Sequence, residues 1–195
     1  MPRVNRRPPA EVKEAFRAGL AVLRRSGDRG VGTMGVAEEK SSPQAPPHRV
    51  FSLGVRPISA GRGLSASVFH GWRYIMPTPD AKLEAIEVAA TADGFHFAGI
   101  HRGRALKETM AAMPNTLKSL AKEKRSFEVA FLRLPALHVS ALWVITKGGE
   151  DRAIPIAPVP KALVAGKIYS EAEFLAALAP EAARILRLST GTKGG

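Results

Sequence analysis

The chain has 195 residues, of which 45% are apolar and 24% charged, a balance typical of one folded globular domain with a short appendage rather than a disordered chain. Cysteine is absent, which excludes disulfide frameworks, thiolate metal sites and cysteine nucleophiles. The formal net charge of +12 favours anionic partners, such as nucleic acid or an acidic protein surface.

The N-terminal segment, residues 1–48, is predicted to be a basic helix followed by a flexible linker. Val12 and Phe16 begin a run of apolar residues at helical spacing within residues 10–25. The remainder of the segment is rich in Gly and Pro and has almost no large apolar residue, so burial cannot offset the entropy lost on ordering it. We expect this segment to lie outside the folded domain.

No stretch is long and apolar enough for a membrane-spanning helix, which needs about 18 or more such residues. The basic start is not followed by a small-residue cleavage site, which argues against a secretory signal. The sequence therefore predicts a cytoplasmic protein without a transmembrane segment.

The folded domain is predicted over residues 49–188, with residues 189–195 as a flexible tail. Its clearest local signal is Asp93-Gly94, which separates two segments that each read as a strand. This dipeptide is favoured at the two central positions of a tight hairpin turn, which would place Ala92 opposite Phe95. The face of this hairpin that carries Glu87 is predicted to be solvated. Strands are also expected at residues 50–59 and 72–76.

A helical period follows over residues 103–124, and Pro114 predicts a break in it. Ser170 and Glu173 have the spacing of a capping box, which predicts the start of a final helix. Three strands are expected between these helices, the last at an edge because its prolines cannot donate to a ladder. These strands are residues 127–134, 137–146 and 153–157.

This order predicts an α+β fold. Consecutive strands joined by tight turns favour a two-layer arrangement, in which a mostly antiparallel sheet carries a broken central helix and a C-terminal helix on one face. A partly closed barrel around a helix is the alternative.

The leading candidate site is a basic surface on the predicted central helix. Lys118, Lys122 and Arg125 have i, i+4, i+7 spacing, so one helical edge would present three cations. Such a surface would bind phosphates in a salt-dependent way and with little sequence selectivity. The full predicted anion-binding set is Arg102, Arg104, Lys107, Lys118, Lys122, Lys124 and Arg125.

His138 and Ser140 are two apart in the most apolar predicted strand, and they suggest an enzyme site with Trp143 and the loop Ala60–Ser67. Same-face neighbours along a strand are about 6–7 Å apart at the backbone, whereas a Ser–His pair needs about 3 Å between its reacting atoms. We therefore expect His138 to be a core histidine and assign no catalytic residue.

The glycines of the loop Ala60–Ser67 could approach a phosphate, but the lysine of a P-loop is missing, and we expect a plain connection there. His96 and His101 suggest a metal pair, yet in an unbroken strand they would point to opposite faces. No metal site and no cofactor is predicted.

The sequence favours a non-enzymatic binding or accessory protein that recognises an anionic partner through the basic helical surface. Two alternatives stay open. One is a small enzyme centred on His138 and Ser140, and the other is a subunit of a larger assembly onto which the N-terminal helix docks.

Overall fold

A computed structural model of the chain describes residues 6–25, 46–77, 83–120 and 125–191. Within these residues eight strands form one sheet, in the spatial order β4-β3-β2-β1-β5-β6-β7-β8. The strands are β1 (His48–Ser52), β2 (Val68–Pro77), β3 (Leu83–Thr91), β4 (Gly94–His101), β5 (Phe127–Leu134), β6 (Val139–Thr146), β7 (Arg152–Ile156) and β8 (Tyr169–Ser170). The α-helices are α1 (Ala10–Arg25), α2 (Val55–Ser59), α3 (Arg104–Leu120) and α4 (Glu171–Gly191).

The sheet is antiparallel at every pairing except that of β1 with β5, which is parallel. The predictions of an α+β fold, of a mostly antiparallel sheet and of a C-terminal helix are therefore confirmed. The strand order has two ends, β4 and β8, so the sheet is open and the barrel alternative is wrong. None of the helices in the described ranges is long and apolar enough to cross a membrane.

Helices cover both faces of the sheet, as the alternation of side chains along β5 demonstrates. Phe127, Val129 and Phe131 share a core with Met113 and Leu120 of α3. Their neighbours in the strand point the other way, into the core that contains α4. We call these the α3 side and the α4 side of the sheet. The prediction that the central and C-terminal helices lie on one face is wrong, because α3 and α4 pack on opposite faces of the sheet.

The N-terminal helix packs on the α4 side, over β3 and β4. Val12 is fully buried, and the ring of Phe16 stacks on that of Tyr74 with centroids 4.2 Å apart. Phe69 joins this core to the one beneath α4. The predicted helix is thus confirmed, and it covers the chain's own sheet. The linker predicted after it falls mainly on residues 26–45, which lie outside the described residues.

The hairpin forms, but the predicted register is wrong. Thr91 pairs with Gly94 and Ala90 pairs with Phe95, so Ala92 and Asp93 are the central residues of the turn. Within this turn only Gly94 has a positive φ, of 126°, and it is the first residue of β4. The hydroxyl of Thr91 donates a hydrogen bond to the carboxylate of Asp93 over 2.7 Å and closes this turn. The turn therefore lies one residue earlier in the chain than predicted.

The predicted break at Pro114 and two strand boundaries are also wrong. α3 runs unbroken across Pro114. The segment predicted as strand 50–59 leaves the sheet after Ser52 and forms α2, in which Pro57 occupies a position near the helix start. β6 begins at Val139, because a short 3₁₀ turn precedes it.

Two predictions for the C-terminal part of the chain are confirmed. The amide of Glu173 donates to Ser170 Oγ over 3.2 Å, and the amide of Ser170 donates to Glu173 Oε2 over 3.0 Å, so the capping box is confirmed. β8 pairs only with Arg152 and Ala153. The proline-containing end of β7 therefore lies at an edge, as its composition predicts.

Candidate functional site

The described part of α3 presents cations beside its apolar stripe. Leu106, Met113 and Leu120 are buried against the sheet, whereas Lys107 and Lys118 are exposed. The two lysines are eleven residues apart, which in an α-helix means about 16 Å along the axis and about 20° around it. They therefore lie on one flank of the helix, and neither forms an ion pair with a described residue.

The other predicted basic residues have different surroundings. Arg102 is exposed, and its Nε lies 2.5 Å from Glu84 Oε1, so a carboxylate already partners it. Arg125 is exposed in the bend before β5 and is not helical; the predicted i, i+4, i+7 edge is therefore wrong for this residue, since the chain must turn there to enter the sheet. Arg104 begins α3. Lys122 and Lys124 lie outside the described residues. We call Lys107 and Lys118 the α3 surface.

A buried ionic cluster lies on the same side of the sheet. Arg73 of β2 and Arg133 of β5 both donate to Oε1 of Glu87 in β3, with the Nε of Arg73 at 2.7 Å. His101 Nε2 lies 3.1 Å from the other oxygen of this carboxylate. The guanidinium of Arg73 also stacks on the ring of Phe131, 3.7 Å from its centroid. The hairpin face that carries Glu87 is thus buried, and the prediction of a solvated face is wrong there.

Two opposing effects act on the ionisation of this cluster. Burial by itself would raise the pKa of Glu87, but the positive charges of Arg73 and Arg133 outweigh it and lower that pKa below its ordinary value. Burial lowers the pKa of Arg73, and the charge of Glu87 acts against that shift. With the carboxylate ionised, two guanidinium groups face one negative charge, and a positive charge remains in excess.

An open cleft of about 230 Å³ adjoins the cluster. Its polar walls are Glu87, Arg133 and His70, and its floor contains small residues such as Gly71 and Ala89. The side chain of Arg133 is 31% exposed, against 6% for Arg73, so Arg133 is the guanidinium that a molecule in the cleft would meet.

His70, which lines this cleft, contacts a serine. Ser52 Oγ lies 2.5 Å from Nε2 of His70, which is exposed. In the parallel pairing of β1 and β5, Ser52 is the partner of Arg133. No described carboxylate contacts Nδ1 of His70, the contact that orients the histidine of a catalytic triad. Hydrogen bonding to a ligand is therefore the chemistry that this pair supports best.

The histidines singled out from the sequence do not form a metal site. A bulge opposite Glu87 and Val88 interrupts the alternation of β4, so His96 and His101 pair with Ala89 and Ala85 on the same side of the sheet, against the prediction. Those partners are four residues apart, about 13 Å along a strand. Among the described residues no group of three or more His, Cys, Asp or Glu could hold a metal ion.

The structure separates the residues of the predicted enzyme site. His138 is exposed, with a left-handed φ of 51° just before β6, so it is neither a strand residue nor a core histidine. Trp143 is buried and donates to Asp151 over 2.9 Å. In the loop Ala60–Ser67, the amide of Leu64 donates to Oε1 of Glu171 over 2.7 Å, so a carboxylate occupies the place where a phosphate was considered.

Sequence reasoning missed the residues that the sheet brings together. Arg73, Glu87 and Arg133 are charged residues inside strands that are mostly apolar, and that signal can mark buried ion pairs before any pairing is known. Ser52 and His70 are 18 residues apart and carry no comparable signal. Comparison of the chain with protein-family models, with curated proteins and with solved structures found no match.

Proposed function

We propose that this protein is a non-enzymatic binding protein that recognises an anionic macromolecule with the α3 side of its sheet. The observation that carries the proposal is the placement of Lys107 and Lys118, which are exposed on one flank of α3 without an ion pair to a described residue. Two cations about 16 Å apart on a rigid helix can contact separate charges of an extended polyanion.

The surroundings of α3 support this proposal. Arg125 adds a third exposed cation where the chain enters β5. The ionic cluster beside α3 has one positive charge in excess, so the sheet beneath the helix does not cancel the field of the lysines. Clustered cations raise the local concentration of an anionic partner and speed its association. The net charge of +12 acts in the same direction over a longer range.

The alternatives have less support. The enzyme hypothesis placed His138 and Ser140 together in one strand, and the structure places His138 outside it. The assembly hypothesis expected the N-terminal helix to dock on a neighbouring protein, whereas α1 buries Val12 against its own sheet.

Retention of the full chain on immobilised heparin, measured across salt concentrations, tests the proposal. We expect wild type to elute at moderate salt and the Lys107→Glu/Lys118→Glu double variant to elute much earlier, because phosphate and sulfate contacts are lost with the lysines. The charge-matched control is Arg62→Glu/Lys161→Glu, which changes two exposed cations next to the core on the α4 side. Equal losses for the two double variants would contradict a specific α3 surface.

A further inference from the structure

The cleft beside Arg133 is a second feature with binding chemistry, separate from the α3 surface. Three adjacent strands supply its polar neighbours: Ser52 from β1, His70 from β2 and Arg133 from β5. Strands of one sheet hold these groups more rigidly than loops would.

Glu87 offers no net negative charge to a further cation in this cleft, because two guanidinium groups already surround its carboxylate. Oε1 accepts from Arg73 and Arg133, and Oε2 lies next to His101. Arg133 uses only Nη2 for this bond, so its Nε and Nη1 groups donate to no described residue. A partly exposed guanidinium with unused donors, beside an excess of positive charge, favours an anion over a cation or an apolar ligand.

The pair of Ser52 and His70 adds donors of a second kind. If His70 Nε2 donates to Ser52, the hydroxyl hydrogen is released to a ligand; if Ser52 donates instead, the Nδ1–H of the imidazole is the donor that remains. In either arrangement this pair keeps one donor for a ligand, besides the guanidinium of Arg133. Donors on separate strands suit a tetrahedral group with several oxygens better than a flat carboxylate with two.

The dimensions of the cleft limit the size of the ligand. Sites for drug-sized molecules usually enclose about 300–1,000 Å³, and this cleft of about 230 Å³ is smaller. Gly71, which lines the cleft, has φ of 142°, and a Cβ there would meet the carbonyl oxygen of Val88 in the neighbouring strand at 1.9 Å, so a side chain has no room at this position. The space fits a phosphate with a short organic group and is too small for a whole nucleotide.

From these contacts we infer that the cleft binds the phosphate group of a small phosphorylated molecule, held by Arg133 and by the hydrogen-bonded pair of Ser52 and His70. This site does not depend on the proposed function, since it uses neither Lys107 nor Lys118. A protein could have either property without the other.

Isothermal titration of the full chain with inorganic phosphate and with phenyl phosphate, each against acetate as the carboxylate comparison, tests the inference. We expect both phosphates to bind more tightly than acetate. Arg133→Gln and His70→Asn should each weaken phosphate binding about tenfold, the effect of losing one hydrogen bond to a charged group. Lys118→Gln is the control and should leave the affinity for inorganic phosphate unchanged while weakening retention on heparin.

Arg133→Gln can also disturb the ionic cluster, so thermal unfolding of each variant is measured alongside. His70 is exposed, and its substitution gives a reading that does not depend on that cluster. Three results would overturn the inference: no binding of either phosphate at millimolar concentration, acetate binding as tightly as phosphate, or unchanged phosphate affinity in folded His70→Asn.

Discussion

The ionisation of Glu87 contributes to the stability of the sheet. This residue is buried, and it joins β2, β3 and β5 through Arg73 and Arg133. Removing one partner of a buried ion pair leaves an uncompensated charge, which lowers the free energy of unfolding by several kcal/mol. Exposed ion pairs contribute little to that free energy. The chain also contains an exposed ion pair for comparison, between Glu84 and Arg102.

We expect Glu87→Gln to lower the free energy of unfolding at pH 7 by about 3 kcal/mol. The lowered pKa of Glu87 means that its ionisation stabilises the fold above the ordinary value of 4.5, and that this contribution is lost as pH falls through the folded-state pKa. The difference between wild type and variant should therefore shrink below about pH 4.5. Urea unfolding at several pH values measures it.

Glu84→Gln is the matched control for that experiment, because it removes a carboxylate from an exposed pair. Its effect should stay within about 0.5 kcal/mol at every pH. A Glu87→Gln variant as stable as Glu84→Gln at pH 7 would contradict the buried cluster.

His138 is a second residue whose conformation leads to a prediction. A residue with a side chain in the left-handed region costs about 1 kcal/mol or more relative to glycine there. We expect His138→Gly to leave the free energy of unfolding unchanged or to raise it by at most about 1 kcal/mol. His138→Val should lower it, because a β-branched side chain is poorly tolerated at positive φ. Urea unfolding of both variants checks this, and strong destabilisation by glycine would contradict the observed backbone.

Among the elements, α1 depends on one close approach to the sheet. A Cβ at Gly19 would lie 2.2 Å from the ring of Phe97 in β4, so the helix packs there without a side chain. Gly19→Leu should lower the free energy of unfolding by about 1–3 kcal/mol, as overpacking of a core does. Hydrogen exchange of the α1 amides should accelerate. Ala18→Leu places the same side chain at an exposed position and should not change exchange.

How far the sequence predicted these elements depends on how local their causes are. The amphipathic stripe of α1, the capping box of Ser170 and Glu173 and strand β5 follow from neighbouring residues, and all three were found. The hairpin register failed because Thr91 and Asp93 set the turn through their side chains. The break expected at Pro114 also failed, since packing of α3 against the sheet overrides a local proline signal.

The residues of the candidate sites likewise differ in whether local sequence could predict them. Exposed lysines of α3 could be predicted from helical spacing, but the i, i+4, i+7 edge could not include Arg125, which lies in a bend. Arg73, Glu87 and Arg133 are distant in sequence, and only the pairing of four strands brings them together. The approach of His70 to Ser52 likewise requires the β1–β2 register, which contains a bulge next to Phe51.

At the scale of the whole molecule, helices on both faces give the sheet two different surfaces. The α4 side is covered by α1, α2 and α4, whose apolar residues complete two cores. The α3 side has one long helix, an ionic cluster and an open cleft. The binding chemistry that we identify in the described residues is thus concentrated on the α3 side.

The dependence of binding to mixed-sequence duplex DNA on salt concentration tests the central claim most directly. Each lysine that neutralises a phosphate contributes about 0.9 to the slope of log K against log salt. We predict that Lys107→Gln/Lys118→Gln lowers this slope by about 1.8, whereas Arg62→Gln/Lys161→Gln leaves it nearly unchanged. A wild-type chain that does not bind at low salt, or a slope that both double variants lower equally, would contradict recognition of polyanions by the α3 surface.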